Sequence, residues 1–546
     1  MEIIMKDILI GGAWPYANGP LHIGHIAGLL PGDVLARYHR AVGDNVYFVS
    51  GSDCHGTPVA IRAKKEGKTP EEISNFYHEE FKECFEKLGF SYDVYTKTSS
   101  KEHKDFVREF HKKLYESEYV YEKEAPYAYC EKCGTFLADR FVLGRCPSCN
   151  KDTRGDQCDA CGAVLEPENL LEPVCAICGR KISFKKSKHL YIAVSALEKQ
   201  LKELVNAHPD WRKNAIAFTN KYIGEGLRDR ALTRDLDWGI EAPREGYENK
   251  TIYIWAENVL GYLSASKVLA DKRNTDFNSL WGKDSKHYYV HGKDNIPFHT
   301  IILPSLLIAN DTGWHLPDCI VSSEYLTLEG QKISTSRNYA IWVKDLLKSY
   351  EPDSIRYYFL AKGPEKKDAD FSWREYVYSH NGELLGAYGN FINRSLSFII
   401  KYWNGYIPEG EDNPETNEKI DELFKTTGSL IEKGAFKEAL GGIFDFIRDA
   451  NKFFDAEQPW ITRETNVAAC KNTLYRCVQI ISNLAALLYP FLPFSSEKVC
   501  RWLNIDNKWE RKSVPAGKRL PEIEILFQRI DKSVIEEETE KLKALL

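Results

Sequence analysis

Eight of the chain's 14 cysteines fall between Cys130 and Cys178, as four Cys-x-x-Cys pairs: Cys130/Cys133, Cys146/Cys149, Cys158/Cys161 and Cys175/Cys178. Two intervening residues let one tight turn present both thiolates to a single ion, and two such turns complete a tetrahedral site. Four pairs therefore imply two Zn2+ ions. An all-cysteine site leaves no open coordination position, so the role is structural. Disulfides and an iron–sulfur cluster are the alternatives. The repeated pairs, in a chain whose start lacks a basic and apolar secretory signal, favour reduced thiols holding zinc. Spacing leaves the pairing open, consecutive or nested.

Two other constellations carry chemistry. His22 and His25 stand three apart in Ala13-Trp14-Pro15-Tyr16-Ala17-Asn18-Gly19-Pro20-Leu21-His22-Ile23-Gly24-His25. A helix starting there attracts phosphate through its free N–H groups and dipole, and imidazoles beside it donate hydrogen bonds as charge builds on phosphate oxygens. Gly24 would let a nucleotide ring approach the backbone. Later, Glu329-Gly330-Gln331-Lys332-Ile333-Ser334-Thr335-Ser336-Arg337 sets a cation between glycine and small hydroxyl residues, which suits a mobile loop closing on a triphosphate. Alone, the first reads equally well as a helix cap, and the second reads better as a solvated surface turn.

The elements that must hold these residues follow from the apolar pattern. Residues 6–12 read as a buried strand, 23–41 as a helix stopped by Gly43, and 46–49 as a second strand ending at Ser50-Gly51. Strand, helix, strand is the opening of a parallel nucleotide-binding sheet. Thr69-Pro70-Glu71-Glu72 predicts a capped helix. Ser99-Ser100-Lys101-Glu102 predicts another, with Phe106, Val107, Phe110 and Leu114 on one face. The pattern breaks from Tyr127 to about Arg180, and strand-like runs return at 251–255, 287–291 and 318–321. The cysteines thus occupy an insertion within one sheet. After about Tyr388 the chain reads as nearly all helical, with Phe436, Leu440, Ile443 and Ile447 on an amphipathic face.

Composition narrows the class. A chain of 546 residues, 43% hydrophobic and 28% charged, is ordinary globular and suggests about three or four domains. The net charge of −6 argues against coating nucleic acid by bulk charge but permits a local basic face. The apolar run 478–494 is interrupted by Gln479, Ser482, Asn483 and Pro490, and a membrane span needs about 20 apolar residues, so a buried helix and a cytoplasmic protein off the membrane are expected.

In this order, the histidine and lysine motifs resemble the signatures of the class I aminoacyl-tRNA synthetases, His-x-Gly-His at the first helix and Lys-Met-Ser-Lys-Ser in a late loop. Wider stretches are similar to the methionyl members: Ala13 to His25, Gly51-Ser52-Asp53-Cys54-His55-Gly56-Thr57-Pro58, the cysteine knuckles, Trp255 through Gly261-Tyr262, Gly292-Lys293-Asp294 through His299, and Pro459-Trp460. The similarity covers nearly the whole chain. It implies an α/β fold: a Rossmann-type parallel-sheet catalytic domain split by a zinc-binding insertion and followed by an α-helical anticodon-binding bundle. The boundaries expected are 1–118 and 231–325 for the two catalytic halves, 119–230 for the insertion, 326–388 for the connector with the late loop, and 389–546 for the bundle.

The resemblance also implies the reaction and its residues. ATP with Mg2+ and L-methionine would form methionyl-adenylate, and methionine would pass to the 3′ end of tRNA(Met). Carried over, His22, Gly24 and His25 form the ATP site, joined by Lys332 and Thr335, with Lys332 stabilising the pyrophosphate. Asp53 holds the methionine ammonium. Tyr16, Trp255, Tyr262 and His299 wall the methionine pocket, where aromatic edges suit a thioether. Arg234 and Asp294 match further active-site positions. The nested zinc pairing is the one implied: Cys146/Cys149 with Cys158/Cys161, and Cys130/Cys133 with Cys175/Cys178. Asn390, Arg394 and Trp460 match positions that read the anticodon, whose unstacked bases are caught by stacking and edge hydrogen bonds.

Three departures from the family pattern stand out. Thr335 stands where a second lysine is common, so Lys332 is expected to carry most of the loop's effect. Trp14 replaces a smaller apolar residue, and Asn258-Val259 replaces Ala-Pro, so the pocket's shape should differ. Valyl, leucyl and isoleucyl enzymes carry a much longer insertion, and cysteinyl enzymes bind zinc in the amino-acid pocket itself. A non-catalytic zinc-ribbon RNA-binding protein would not need His22, His25, Asp53 and Lys332. With the chain stopping at Leu546, soon after the bundle, a monomer is expected.

Overall fold

The structure, a computed structural model, describes residues 5–545 apart from 156, 157, 159, 162, 164, 336, 337 and the side chain of Arg140. Ser336 and Arg337 of the late polar stretch therefore lie outside the described residues.

Strands β1 (Asp7–Gly12), β2 (Asn45–Ser52), β3 (Val94–Lys97), β4 (Lys286–Gly292) and β5 (Cys319–Ser323) form one parallel sheet in the order β5-β4-β1-β2-β3. Ile8, Leu9 and Ile10 are fully buried, as a continuous apolar run in the middle of a sheet covered on both faces should be. The strand order reverses at β1 and β4. Their carboxyl ends therefore open a crevice, the usual ligand position in such sheets. Helix α1 (Ile23–Val42) starts at that crevice and stops at Gly43, whose φ of 104° accommodates the left-handed cap. The Thr69–Glu72 capping box forms, with the Thr69 hydroxyl accepting from the Glu72 N–H and the Glu72 carboxylate accepting from the Thr69 N–H. Helix α2 (Lys101–Leu114) buries Val107, Phe110 and Leu114.

One strand expected in the sheet is not there. Of 251–255, only Thr251–Ile252 is extended, and it pairs antiparallel with Thr233–Arg234 outside the parallel sheet. Trp255 instead lies in helix α3 (Ile254–Asn258). A short apolar run bounded by polar residues does not by itself separate a strand from a buried helical turn.

The insertion leaves and rejoins between β3 and β4. Val120–Cys130 and Ser183–Ile192 form a long antiparallel ribbon, paired from Val120↔Ile192 to Tyr129↔Ser183. The cysteine knuckles sit at its far end, around a small core of their own. Beyond β5, a hairpin of Leu326–Leu328 and Gln331–Lys332 leads to helix α4 (Pro352–Lys362) and then to the C-terminal helices α5 (Asn390–Tyr402), α6 (Phe436–Glu457) and α7 (Val467–Leu488). Phe436, Leu440, Ile443 and Ile447 are buried together on α6.

The C-terminal part is less helical than its sequence suggests. Between Leu503 and Ser533 the chain runs without a helix or strand. The polar interruptions of α7 explain how it is held. The Gln479 amide donates to the Val514 carbonyl at 2.8 Å and accepts from the Val514 N–H at 2.9 Å, and Asn483 makes the same exchange with Lys512. Buried side-chain amides thus replace a missing secondary-structure partner. No helix among the described residues is long and apolar enough to cross a membrane.

A buried charge cluster joins the two ends of the fold. Arg356 of α4 is fully buried and pairs with Asp33 of α1 at 2.7 Å. Its remaining donors go to the carbonyls of Leu88, Pro490 and Phe491. Burial opposes ionisation of Asp33, but Arg37 and Arg356 outweigh it and hold the carboxyl well below the usual range.

Candidate active site

His22 is the N-cap of α1. Its Nδ1 accepts from the Gly24 N–H at 3.1 Å, while the His22 N–H donates to Nδ1 of His25 at 3.1 Å. Both rings therefore use Nδ1 as an acceptor, which leaves the hydrogen of each neutral ring on Nε2. Burial lowers the His25 pKa to about 4, and burial with the neighbouring ring of His25 lowers that of His22 well below its ordinary value. The pair is thus two neutral N–H donors fixed at a helix N-terminus, with ring centroids 4.0 Å apart. Gly24 also protects the cap itself. A Cβ there would lie 2.9 Å from the His22 ring and break the cap.

The late loop reaches this helix start. Ile333 lies 3.9 Å from the position of a Gly24 Cβ. The segment that follows pairs directly with the turn before α1: the Ile23 N–H donates to Ile341 O at 3.1 Å and the Val343 N–H to Leu21 O at 2.9 Å. Glu329 (φ 46°) and Gly330 (φ 74°) make the two-residue hairpin turn, a conformation glycine favours. Lys332 and Thr335 are exposed on the loop.

On the other side of the β1–α1 loop, Tyr16 bridges to Asp53 at the end of β2. The Tyr16 ring meets Trp255 edge-on at 6.0 Å, and Trp255 stacks on Phe298 at 3.6 Å. Tyr262 and His299 are joined through the phenol and Nε2 at 2.7 Å. Nδ1 of His299 faces the Asn295 carbonyl at 2.8 Å and must donate to it, so Nε2 accepts from the phenol. Burial lowers the His299 pKa to about 4, which keeps this ring neutral. Asp53 is buried with Oδ2 unpartnered. Burial, then the charge of Glu257, raises its pKa well above the usual carboxylate value. A buried carboxylate with a free oxygen is suited to a cation. The Trp14 indole explains two glycines: a Cβ at Gly51 or at Gly261 would come within 2.6 Å of it.

Arg234 and Asp294 sit at the margins. The Arg234 guanidinium lies 4.1 Å over the Tyr253 ring, two residues before Trp255. Asp294, at the end of β4, accepts from the Tyr325 hydroxyl at 2.5 Å. Far along the chain, Arg394 pairs with Asp455 at 2.5 Å and lies over the rings of Phe454 and Trp460, the latter 42% exposed. Asn390 is one turn earlier on the same helix, α5.

The cysteines separate into two groups, Cys130, Cys133, Cys175 and Cys178, and Cys146, Cys149, Cys158 and Cys161, with the sulfurs of each within 4.8 Å of one another. Cross-pair separations of 3.5, 4.0, 3.8 and 3.6 Å are too long for disulfides. They match the spacing of about 3.8 Å that a tetrahedron with zinc–sulfur bonds of about 2.3 Å requires. Gly134, Asn150 and Gly179, each just after the second cysteine of a pair, adopt φ of 68°, 57° and 69°, closing the knuckle turns. The equivalent Gly162 lies outside the described residues.

The family model for tRNA synthetases class I (M) matches residues 8–396, and that for the anticodon-binding domain of tRNA ligase matches 415–544. A methionine–tRNA ligase of Bacillus cereus (strain G9842) is 53% identical over 540 residues, covering 98% of this chain and 99% of the relative. The chain belongs to the methionyl-tRNA synthetase family of class I. A methionine–tRNA ligase 1 of Alkaliphilus oremlandii (strain OhILAs) is 52% identical over 539 residues, covering 98% of the chain and 99% of the relative. In fold, the chain is similar to a Mycobacterium tuberculosis methionyl-tRNA synthetase bound by methionyl-adenylate, with a TM-score of 0.81 at 22% identity over 96% of this chain and 100% of that one. Within this methionyl-tRNA synthetase family member, the structure adds residues that the sequence motifs left unassigned. Phe298 backs Trp255, Tyr325 holds Asp294, and the ring of His55 pairs with Glu257 beside Asp53. His55 and Phe298 stood inside the quoted motifs; Glu257 carried no local signal linking it to His55, which lies in a distant part of the chain.

Proposed function

We propose that the crevice activates L-methionine with ATP and Mg2+ and passes the aminoacyl group to the 3′ end of tRNA(Met). The observation that supports this most is the pair of neutral Nε2–H donors at the start of α1, set across the β1–α1 loop from a buried carboxylate with a free oxygen. Asp53 takes the ammonium, and Tyr16, Trp255, Tyr262 and His299 enclose the side chain. The methionine carboxylate attacks the α-phosphate in line, the carboxylate–phosphorus bond forms, and the bond to the β-phosphate oxygen breaks. His22 and His25 donate to the phosphate oxygens as charge builds, with Gly24 keeping the cap that aims them. Lys332, with Thr335 beside it, closes over the departing pyrophosphate. Arg234 and Asp294 border the site and complete its walls. The ribose hydroxyl at the tRNA 3′ end then attacks the adenylate carbonyl and AMP leaves. ATP–pyrophosphate exchange run with each amino acid tests this reading; exchange driven by an amino acid other than methionine would overturn it.

The two cysteine sets have the donors and spacing for one Zn2+ each, in nested pairing; the ions would hold the knuckle turns together and offer no reacting position. Metal analysis should give two zinc per chain, and one or none would refute the two-site count. The working units proposed are catalytic halves 1–118 and 231–325, insertion 119–230, connector 326–388 and helical reader 389–546, in which Asn390, Arg394 and Trp460 bind the anticodon. The enzyme works as a cytoplasmic monomer, and sedimentation as a stable dimer would count against that.

A further inference from the structure

His55 touches both carboxylates behind the proposed ammonium site. Its backbone N–H faces Asp53 Oδ1 at 3.4 Å, and its ring Nδ1 is hydrogen-bonded to Glu257 Oε1. Asp53, His55 and Glu257 are 1%, 1% and 0% exposed, so solvent reaches none of the three. Two carboxylates buried this closely oppose one another's charge. One Glu257 oxygen meets the imidazole, while Oε2 of Glu257 and Oδ2 of Asp53 are each left without a partner. Without the imidazole, Glu257 would bear more strongly on Asp53, whose carboxyl it already pushes upward.

We propose that His55 is a positioning residue for the methionine ammonium, engaging Glu257 through its ring so that Asp53 is left to meet the substrate. This rests on the methionine reading above. Burial and then Glu257 push the Asp53 carboxyl upward, against the His55 backbone N–H and the Asn258 side chain, which pull it down. Other ionisable groups facing the cluster are silent near neutrality. Burial holds His103 and His111 of α2 at about 3 and 4 and His299 at about 4, and it pushes the Cys54 thiol up to about 11 and the Tyr262 phenol higher still. Lys104 lies over Trp238, whose ring meets His55 edge-on at 5.3 Å.

The test is kcat/KM for methionine in ATP–pyrophosphate exchange, followed from mildly acid to mildly alkaline pH. His55→Gln removes the imidazole from Glu257 and should move the acid limb up by about one pH unit, a loss of about tenfold just below the limb, carried by KM for methionine and not by KM for ATP. Glu257→Gln removes the competing anion and should move the limb down. The double variant should return it to near the wild-type position. Equal losses at every pH in both single variants, or an unmoved limb, would overturn the proposal. If His55→Gln does not fold, His55→Asn, which keeps a neutral donor, must show the same upward shift. Failure of the underlying reading looks different: wild-type exchange would not depend on methionine, or Asp53→Asn would leave KM for methionine unchanged.

Discussion

All 14 histidines lie between His22 and His380, and the C-terminal helices contain none. In the crevice, polar side chains are buried, neutralised and locked in one tautomer by backbone partners, as with His22, His25 and His299. At the far end, Trp460 and Arg394 are left partly in solvent, joined by cation–π contact and one ion pair. The difference follows from the task. Phosphoryl chemistry gains from fixed dipoles in a dry site, where each is worth more than in water. Recognition of a flexible RNA loop gains from exposed aromatic planes on which an unstacked base can settle.

The contrast can be broken at several points. The largest effect expected is from Lys332→Ala, which should lower the exchange rate by about 100- to 1000-fold, the usual loss for one group aimed at developing charge. Near-normal exchange would remove the loop from the chemistry. Acid should next separate the two regions. His103, His111, His287 and His299 are buried with pKa values of about 3 to 4, against an ordinary 6.5. The folded chain keeps them neutral, while the unfolded chain takes up protons below about pH 6.5. Their contribution is therefore complete above that pH and is lost as pH falls toward about 4, by up to about 1.4 kcal/mol per pH unit for each group. Hydrogen exchange should show the sheet region opening over this window while the C-terminal helices keep their protection; equal loss in both would contradict the mechanism.

Trp460→Ala should lower kcat/KM for tRNA charging by roughly 5- to 150-fold, from about 1–3 kcal/mol per stacked base, and leave exchange untouched. Equal loss of both activities would make Trp460 a packing residue only. The smallest effect is from Thr335→Lys. A second, exposed cation on the loop should raise exchange by no more than about fivefold, since exposed charge pairs are worth about 0.2–1 kcal/mol. A gain far above that would mean the loop closes into a drier site than its open position suggests.

Much of this was legible in the residues themselves. The β1–α1–β2 opening, the Thr69 capping box and the cysteine knuckles are local, and local rules locate them. What escaped is long-range or ambiguous. The run 251–255 has the composition of a strand, yet Trp255 is helical and its ring packs against Phe298 and Tyr16. The polar residues of α7 looked like interruptions and are the hooks for an irregular segment. His55 and Glu257 belong to different parts of the chain, and only the closed sheet brings them together. Gly24 was located by its motif, but the His22 ring that would crowd a Cβ there comes into view only in the fold.

The cluster around Arg356 bears on how this protein can be cut. The sequence changes character near residue 388, and that border invites excision of the nucleotide-binding half. Arg356 and Asp33 lie on its near side, but two of the carbonyls that satisfy the guanidinium, Pro490 and Phe491, lie beyond it. A chain severed there would strand a cation and an anion in the interior with part of their support gone. A viable minimal enzyme must therefore keep the Pro490 corner or replace Asp33, Arg37 and Arg356 together.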